Sequence, residues 1–429
     1  MKNAYWLETY GCQMNKAESA ALEKELIEYG YIPAHSPDDA DVVIMNTCSV
    51  RKSAENRIYG RLGVYTALKK KKNFHLSITG CMAERLKDEL IRQVPAVDSV
   101  VGTFDKKILP LILSGGGKER TEYTFSKFHG NGASAATFIP IMHGCDNFCT
   151  YCIVPYVRGR EISRAPEELF EEIDHYLGRG VKEITLLGQN VNSYSHGETD
   201  FAGLLSLIAG RVPENIWVRF LTSHPKDLTD GILDVLSSSP VFCRNIHLPA
   251  QHGSDRMLAA MNRRYTRDYY MNRVRSIRRI LPGATVTTDL MVGFPGEEEE
   301  DFRQLLDLMI EADFSESFTY YYNPREGTEA FKLGETVPHE VKITRLQEVI
   351  ELQKKISRSL RKQEIGKTAT VLAENFSKKG EGQLLGRTGQ NEMVVFPVPA
   401  GRTGGSPGDF FKVALVSLSG NTFKGEVQS

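Results

Sequence analysis

The stretch His143–Arg160, HGCDNFCTYCIVPYVRGR, decides the fold, because it places Cys145, Cys149 and Cys152 in a CxxxCxxC pattern. Three thiols so close together, in a chain that shows no secretory signal, indicate a metal cluster rather than disulfides. Iron–sulfur clusters are bound by cysteine thiolates and usually need four of them. Three ligands therefore leave one iron open to a small molecule. Phe148 and Tyr151 fall between the ligands and can shield the cluster.

This spacing, with an aromatic residue before the last cysteine, resembles the signature of the radical S-adenosylmethionine (SAM) enzymes. The resemblance implies that SAM chelates the open iron through its amino and carboxylate groups. It also implies that an electron from the cluster cleaves SAM to methionine and a 5′-deoxyadenosyl radical. The alternative is a zinc knuckle or a chance group of buried cysteines. Zinc prefers four closed ligands, and no fourth Cys or His lies at zinc-finger spacing, so this alternative is disfavoured.

The composition of the chain limits the possible classes of protein. Its 429 residues predict two to four domains, and its net charge of −1 gives no overall basic field that would attract nucleic acid. Any site for a polyanion must therefore be a local patch. The opening MKNAYWLETYGCQMN has no long apolar run, and no segment approaches ~18 uninterrupted apolar residues. We therefore expect a cytoplasmic protein without a membrane segment, whose seven cysteines stay reduced.

Residues 1–125 alternate strand-like and helix-like patterns, which predicts a doubly wound parallel sheet with strands at 4–10, 41–47, 74–79 and 99–101. A cysteine follows each of the first three predicted strands: Cys12, Cys48 and Cys81. The C-terminal ends of parallel strands share one edge, so these three cysteines should converge there, beside helix N-termini that favour thiolates. The alternative, three buried structural cysteines, is less favoured because all three occupy equivalent strand ends.

Residues 137–365 contain six strand-like segments, each followed by a helical pattern, and predict a partial (β/α)6 barrel, the usual core of radical SAM enzymes by resemblance. Polar or glycine-rich sequence follows most of these strands, at the end of the barrel where active sites lie. Each such loop can alternatively be a turn and a helix cap. The predicted strands are Phe138–Met142, Glu183–Leu187, Trp217–Leu221, Asn245–Leu248, Thr285–Met291 and Phe318–Tyr322.

The resemblance to radical SAM enzymes further implies SAM contacts at the ends of strands two to five of this barrel. The expected contacts are Gly188, Gln189, Asn190, Ser223, His247, Gln251 and Val292. After the sixth strand, Arg325 could face an anionic group. The central domain also carries local positive charge that either solvates helices or binds RNA phosphates. Its members are Arg263, Arg264, Arg275, Arg278 and Arg279.

Residues 366–429 change to short β-rich runs punctuated by Gly and Pro, and predict a small antiparallel barrel. The segment GRTGQNEMVVF (386–396) resembles a TRAM domain, an RNA-binding module. Phe376, Phe396 and Phe410 could stack on bases, although we expect most aromatic residues to fill the barrel core. Basic residues available for phosphates are Lys367, Lys378, Lys379, Arg387, Lys412 and Lys424. Upstream, the Gly- and Ser-rich residues 114–136 predict a linker or a long surface loop.

The three domains in this order resemble the methylthiotransferase family. TYGCQMN (9–15), GCDNFCTYCIVPYVRGREISR (144–164) and LGQNVNSY (187–194) resemble its tRNA-modifying branch. The resemblance implies two [4Fe–4S] clusters and no catalytic side chain beyond them. Cys145, Cys149 and Cys152 would hold one cluster. Cys12, Cys48 and Cys81 would hold an auxiliary cluster, which carries the sulfur that is methylated and inserted. SAM would serve as both methyl donor and radical source.

The reaction implied by this branch is methylthiolation of C2 of N6-isopentenyladenosine at tRNA position 37. The adenine C2–H bond is unactivated, which calls for a radical, and bases of an anticodon loop can be splayed into a pocket. The implied partners are an anticodon stem-loop bearing isopentenyladenosine, an electron donor such as flavodoxin or ferredoxin, and an iron–sulfur carrier. We expect a monomer.

Two alternatives keep part of this interpretation. A sister methylthiotransferase would share the chemistry but act on N6-threonylcarbamoyladenosine in tRNA or on an aspartate of a ribosomal protein. A non-catalytic iron–sulfur RNA-binding protein is disfavoured, because it leaves the open-iron cysteine pattern and the polar strand ends unexplained. SAM cleavage on reduction separates an enzyme from such a binding protein.

Overall fold

The computed structural model describes residues 3–49, 52–116, 123–129, 135–378, 380, 382–398 and 406–428. Within these residues, three β-structures follow one another along the chain, and each has its own apolar core. The first is an open sheet, the second a partial barrel and the third a small closed barrel. This confirms the predicted fold class.

The N-terminal sheet is entirely parallel, with the strand order β2-β1-β3-β4-β5. Its strands are β1 Ala4–Thr9, β2 Ile32–Pro33, β3 Val42–Thr47, β4 His75–Gly80 and β5 Ser99–Val101. Its helices are α1 Gln13–Glu28, α2 Lys52–Lys69, α3 Cys81–Leu86, α4 Asp88–Gln93 and α5 Leu109–Leu113. Every residue of β3 is buried, as expected for a parallel strand covered on both faces. The two-residue edge strand β2 was not predicted, because so short a run has no periodicity to detect.

The two faces of this sheet pack against different helices because side chains alternate along a strand. Val43 and Met45 join a core with Leu62 of α2, whereas Val42 and Ile44 join a separate core with Leu22 and Leu26 of α1. Helices on both faces leave the strand C-terminal edge open to the neighbouring domain, and this edge carries the cysteines.

The central domain contains all six predicted strands. They are β6 Ala136–Pro140, β7 Glu183–Leu187, β8 Trp217–Phe220, β9 Asn245–His247, β10 Thr285–Val292 and β11 Glu316–Tyr321. Two three-stranded parallel sheets, β6-β7-β8 and β9-β10-β11, are joined by a single parallel bridge between Val218 and Phe242. The result is a curved, incomplete barrel, which confirms the prediction. Short antiparallel ladders lie outside it, pairing Met142–His143 with Ile162–Ser163 and Ser195–His196 with Thr199–Asp200.

The central domain also contains a series of α-helices. They are α6 Val154–Arg158, α7 Pro166–Leu177, α8 Phe201–Arg211, α9 Asp230–Ser238, α10 Asp255–Ala260, α11 Arg267–Ile280, α12 Glu299–Ala312 and α13 His339–Lys362. The last of these matches the long amphipathic helix predicted to lead into the final domain. Across the described ranges, no helix combines the length and apolarity needed to cross a bilayer.

The C-terminal barrel is closed by five strands in the order β12-β13-β14-β16-β15. They are β12 Thr368–Phe376, β13 Gln383–Thr388, β14 Met393–Pro397, β15 Phe410–Ser419 and β16 Thr422–Val427. Four of the strand pairs are antiparallel, but β14 and β16 pair in parallel, which the sequence did not predict. Phe396 and Phe423 fill the interior, Phe410 packs against Trp217 of the central domain, and Phe376 is exposed.

The segment between the first two domains contacts both of them instead of forming only a surface loop. Residues 117–122 and 130–134 of the predicted linker lie outside the described residues. Between them, the Tyr123 ring stacks on His143, with 3.7 Å between ring centroids. His129 is buried, and its Nδ1 lies 3.2 Å from Glu172 Oε1 on α7. The described part of this segment is therefore packed into the interface.

The C-terminal barrel docks on the central barrel near the N-terminal ends of the central strands β7 and β8. Buried Arg219 donates hydrogen bonds to the carbonyl oxygens of Thr388 at 2.7 Å and Gly389 at 3.1 Å, and pairs with Glu183 at 2.7 Å. Arg387 of β13 pairs with the other oxygen of Glu183 at 2.9 Å. The C-terminal barrel thus lies at the end of the central barrel opposite the cysteines.

Replacing Arg219 with Met should lower the free energy of unfolding by about 2–3 kcal/mol, because the buried Thr388 carbonyl and the partly buried Gly389 carbonyl lose their donor. Glu183 keeps Arg387, so no carboxylate is left unpaired. The matched control is Arg211→Met, which removes an exposed arginine paired with Asp174 and should leave stability unchanged. Denaturant unfolding followed by circular dichroism measures both variants. Equal stability of the two would contradict the assigned role of Arg219.

Candidate active site

The CxxxCxxC segment forms a tight loop closed by the ladder of Met142–His143 with Ile162–Ser163. Cys145 N–H donates to the carbonyl of Gly159 at 3.1 Å, and Cys152 N–H donates to that of Cys149 at 2.9 Å. Gly144 has a φ of +81°, and a Cβ at this position would lie 1.9 Å from the Arg160 carbonyl oxygen. Only glycine fits there, so the backbone on both sides of Cys145 is fixed.

The three thiols of this loop lie close enough to influence one another. Burial raises the pKa of Cys145 to about 11 and that of Cys152 to about 12, and in each case neighbouring cysteines of the loop add to the shift. Binding of a metal must therefore displace the protons of these thiols. Two N–H donors point at the sulfurs: Asn147 Nδ2 lies 3.5 Å from Cys145 Sγ, and Arg263 Nη1 lies 3.3 Å from Cys149 Sγ.

Arg263 does not belong to a surface patch for RNA, as its grouping with the neighbouring arginines had suggested. Its guanidinium is buried and also donates to Tyr265 Oη at 2.9 Å and to the Pro249 carbonyl at 2.9 Å. N–H groups that donate to the sulfurs of an iron–sulfur cluster tune its reduction potential. Arg263 therefore acts together with the cysteine loop and not with a surface patch.

These residues fit an iron–sulfur cluster better than a single ion. Among the described residues, no three His, Cys, Asp or Glu side chains converge on one point that could hold a metal ion. In a four-iron cluster each cysteine binds a different iron atom, so neighbouring thiols need not point at one common atom. The buried N–H donors beside two of the sulfurs suit an anionic cluster.

The second cysteine triplet lies at one edge of the N-terminal sheet. Thr47 of β3 and Gly80 of β4 are register partners, so Cys48 and Cys81 follow at the same level. Gly11, just before Cys12, lies against Cys48: a Cβ on Gly11 would be 2.5 Å from Cys48 Cβ and 3.1 Å from its Sγ. Burial raises the pKa of Cys81, and Cys12 is among the charges that add to the shift. The structure thus brings the three predicted ligands together.

The two triplets lie near each other at the domain interface, because Cys81 packs on the helix that follows the other triplet. Cys81 packs against Ile153 and Val157, which directly follow the CxxxCxxC loop. The Thr103 hydroxyl, beyond β5, donates to the Val157 carbonyl at 2.5 Å. Helix α6, which begins two residues after Cys152, is therefore the element that both cysteine sites share.

Two buried ionic clusters fasten this interface. In the first, Arg158 of α6 donates to Glu18 of α1 at 2.6 Å, and Lys106 also pairs with Glu18. In the second, which we call the Glu55 cluster, Glu55 accepts from Arg325 at 2.9 Å, from Arg85 at 2.8 Å and from the Ser49 hydroxyl at 2.8 Å. Arg325 was predicted to face an anionic group, and the structure places it against Glu55 of the N-terminal domain.

A pocket of about 630 Å³ opens between the two domains beside Cys152. Asn56 of α2 contributes from the N-terminal domain. The central domain contributes apolar residues and a few polar ones, among them Asp289, Asn323 and Arg325. The apolar lining includes Ile153, Val154, Met291 and Leu346, and tyrosines 320–322 form part of the wall. Concave, largely apolar surfaces with a few polar groups are typical of ligand sites.

Three of the residues predicted to contact SAM follow β7. Gln189 Oε1 accepts from Gly144 N–H at 2.6 Å, which anchors this loop to the cysteine loop. Asn190 Nδ2 donates to Asp227 at 2.7 Å, whereas its Oδ1 is buried without a partner. A Cβ on Gly188 would lie 2.5 Å from Met142 Cγ, so glycine is needed there for packing.

The other predicted SAM contacts lie at the ends of β8, β9 and β10. Ser223 Oγ is buried without a partner. His247 Nδ1 lies 3.1 Å from Thr287 Oγ1 and faces Asp289. Gln251 lines the pocket, whereas the Val292 side chain lies in the core, where only its backbone could meet a ligand.

Unpartnered buried polar atoms concentrate at the ends of β7 and β8. Asn190 Oδ1, Asn192 Oδ1 and Nδ2, Ser223 Oγ and His224 Nε2 all lack a hydrogen-bond partner within the described structure. Such groups are costly to bury and usually have partners. This region therefore fits a polar ligand such as SAM, and His224 joins the candidates that sequence reasoning did not select.

Sequence reasoning also missed Glu18, Arg158, Lys106 and the role of Arg263. Glu18 lies in a helix whose sequence, KAESAAL (16–22), resembles an ordinary solvated surface. Arg158 lies within the cysteine segment, between Val157 and Gly159. This position was the one feature of the sequence that could have indicated a buried role for Arg158. Burial of a charge depends on the partner that another domain supplies, which no local pattern reveals.

Comparison with known proteins places these sites in a family. Residues 139–309 match the model described as "Radical SAM superfamily", and residues 4–102 match "Uncharacterized protein family UPF0004". A Treponema denticola protein is 44% identical over 98% of this chain and 99% of its own length. A Bacteroides fragilis protein is 46% identical over 98% and 95% respectively. Both are named tRNA-2-methylthio-N(6)-dimethylallyladenosine synthase.

Solved structures support the fold of the chain. The radical SAM methyltransferase TsrM from Kitasatospora setae superposes with a TM-score of 0.60 at 14% identity, covering 77% of each chain. The radical SAM enzyme OxsB superposes with a TM-score of 0.56 at 11% identity, covering 82% of this chain and 56% of its own. The radical SAM family implies SAM and one [4Fe–4S] cluster.

Replacing Gly11 with Ala should lower the iron content after reconstitution by about four atoms per chain, because the new Cβ would displace Cys48. The matched control is Gly30→Ala, which also has a positive φ, of +87°, but has nothing within 4 Å of the new Cβ. Iron analysis and the absorption spectrum measure the effect. Full iron content in Gly11→Ala would show that Cys48 does not hold a cluster.

Replacing Ser223 with Ala should have opposite effects on stability and on ligand binding. Removing an unpartnered buried hydroxyl should leave the free energy of unfolding unchanged or raise it by about 1 kcal/mol. The affinity for SAM should fall roughly two- to tenfold, since the ligand loses a hydrogen bond. Isothermal titration of the reconstituted protein measures the affinity, with exposed Ser206→Ala as control. Equal SAM affinity in both variants would remove Ser223 from the SAM site.

Proposed function

Since the chain belongs to the family of radical SAM methylthiotransferases named tRNA-2-methylthio-N(6)-dimethylallyladenosine synthase, we propose that it methylthiolates C2 of N6-isopentenyladenosine at tRNA position 37. The structural support for this proposal is the position of the two cysteine triplets relative to helix α6 and the interdomain pocket. Cys81 of one cysteine triplet packs on helix α6, which directly follows the other triplet, and Cys152 of that other triplet lines the interdomain pocket. An enzyme that makes a radical at one cluster and takes sulfur from another needs this arrangement.

We propose that Cys145, Cys149 and Cys152 hold the radical SAM cluster and that Cys12, Cys48 and Cys81 hold an auxiliary [4Fe–4S] cluster. When bound, these clusters and SAM supply a hydrogen-abstracting radical, a methyl group and the inserted sulfur. The protein residues position these groups. Gln189 anchors the loop after β7 to the cysteine loop, and Arg263 and Asn147 direct N–H groups at two of the sulfurs.

The lining of the pocket favours isopentenyladenosine over the alternative acceptors. Ile153, Val154, Met291 and Leu346 form an apolar surface that suits a five-carbon isopentenyl group. A threonylcarbamoyl group or a protein aspartate carries a carboxylate, which Asp289 in the same lining would repel. Arg325, a pocket cation, is already paired with Glu55.

We propose that the C-terminal barrel contacts the stem of the tRNA. Its exposed basic residues include Lys367, Lys378, Lys412 and Lys424, and the Phe376 side chain, two residues before Lys378, is 59% exposed. Arg387 is unsuited to this role because it is engaged with Glu183 and Glu374, and Lys379 lies outside the described residues. Contacts to phosphates would make binding strongly dependent on salt.

The remaining partners follow from the proposed reaction. Each radical step consumes an electron, which a flavodoxin or ferredoxin would supply to the Cys145–Cys152 cluster. An iron–sulfur carrier would load the two clusters. We propose that the enzyme acts as a monomer in the cytoplasm, where its tRNA substrate is present.

Incubating the reduced, reconstituted protein with SAM and anticodon stem-loop RNAs tests the acceptor. One RNA carries isopentenyladenosine, a second threonylcarbamoyladenosine and a third plain adenosine, and nucleoside mass spectrometry follows the methylthio gain. Gain on the first RNA alone is expected. Gain on the second RNA would overturn isopentenyladenosine as the acceptor and favour the sister activity on tRNA. No gain on any RNA, while SAM is still cleaved to 5′-deoxyadenosine, would overturn the tRNA acceptor and favour the ribosomal-protein activity.

A further inference from the structure

The ionic cluster of Arg158, Lys106 and Glu18, which we call the charge triad, contains two cations and one carboxylate. Arg158 donates to both oxygens of Glu18, at 2.6 and 3.2 Å, and Lys106 pairs with the second oxygen. All three residues are less than 9% exposed. Removing two opposite charges from water is tolerated only with good pairing, and an additional unpaired charge is far more costly.

The other hydrogen-bond partners of the triad do not neutralise the additional cation. Lys106 Nζ also donates to Asn46 Oδ1 at 3.2 Å, and Arg158 Nη2 donates to Asn15 Oδ1 at 3.0 Å. His143 Nδ1 lies 3.4 Å from Arg158 Nη1. The two asparagine partners are neutral. Glu25, which lines the same cavity, also interacts with Lys106, and burial raises the pKa of its carboxyl to about 7. The triad itself therefore keeps two cations against one carboxylate.

The excess charge lies beside the second cysteine triplet. Asn15 Oδ1, which accepts from Arg158, lies 3.9 Å from Cys12 Sγ. Asn15 Nδ2 donates to the carbonyl of Thr47, the residue before Cys48, at 3.1 Å. Cys81 packs against Val157, the neighbour of Arg158. Burial opposes the charge on Arg158, but Glu18 and then Cys81 and Cys12 raise its pKa. The triad is thus in electrostatic contact with this cysteine site.

We propose that the charge triad is the built-in counter-charge of the Cys12–Cys48–Cys81 site and favours an anionic sulfur ligand, hydrosulfide or methylthiolate, on the cluster there. This inference rests on the proposed function, which requires that site to hold sulfur for transfer. Hydrosulfide or methylthiolate would bind the iron that three cysteine ligands leave open, in exchange for a neutral ligand and with no electron transferred. The new negative charge is the complement of the buried excess cation.

Lys106→Met is the most selective test, because it removes the excess cation and leaves the Arg158–Glu18 pair intact. Lys106→Arg keeps the charge. Lys107→Met removes the same charge from the adjacent, exposed position, where solvent screens it. All three are made in full-length protein with Cys145, Cys149 and Cys152 changed to Ala, so that only the auxiliary cluster is observed. Circular dichroism checks the folding of each variant.

The readouts are titration with sodium hydrosulfide, followed by electron paramagnetic resonance, and the midpoint potential of the cluster. Lys106→Met should weaken hydrosulfide binding on the order of tenfold and lower the midpoint potential, as expected for loss of one partly buried unit charge. Lys106→Arg and Lys107→Met should both stay within about twofold of the parent protein. These measurements do not depend on methylthiolation activity.

Two results would overturn the inference. Hydrosulfide affinity and potential in Lys106→Met equal to those of Lys107→Met would show that the triad is only structural. Absence of iron from the parent protein, which retains Lys106, would instead refute the auxiliary cluster and with it the proposed function. Iron analysis of the parent protein separates these two failures.

Discussion

The buried ion pair between Glu18 and Arg158 determines how the first two domains meet. A charge pair out of water is stable only at close distance and with its remaining hydrogen bonds made, whereas apolar surfaces tolerate sliding. The pair therefore defines the interface more strictly than apolar packing could. The Glu55 cluster fixes the same interface at a second place, where Arg325 of the central domain pairs with Glu55 of α2. In both ionic clusters, the carboxylate comes from a helix that begins after one of the cysteines at the strand ends. Glu18 lies on α1, which follows Cys12, and Glu55 lies on α2, which follows Cys48.

This arrangement explains why the two cysteine triplets lie near each other. Parallel strands bring Cys12, Cys48 and Cys81 to one edge, and tight loop closure at Gly144 forms the other site. Neither feature alone specifies the distance between the sites. Helix α6 supplies it, since Val157 packs on Cys81 while its neighbour Arg158 pairs with Glu18.

Much of this architecture was predictable, because each strand of a covered parallel sheet is an apolar run bounded by turns. All six barrel strands and the five C-terminal strands were anticipated, and so was the meeting of three cysteines at strand ends. The edge strand Ile32–Pro33 was too short to detect. The parallel pairing of β14 with β16 depends on chain closure, which strand patterns do not encode. Residues of the candidate site were less accessible, since Arg263 and Glu18 resemble surface residues until their partners are known.

The C-terminal barrel docks through Arg219 and Arg387 on the strand N-terminal ends, and none of the residues that the structure describes in this barrel lines the interdomain pocket. The cysteine sites and the proposed RNA-binding surface are therefore built from separate stretches of chain, joined by one long helix. Mutations that reshape one need not disturb the other. Evolution could thus adjust which RNA the molecule holds while conserving the radical chemistry, and a different terminal domain could be grafted onto the same catalytic unit.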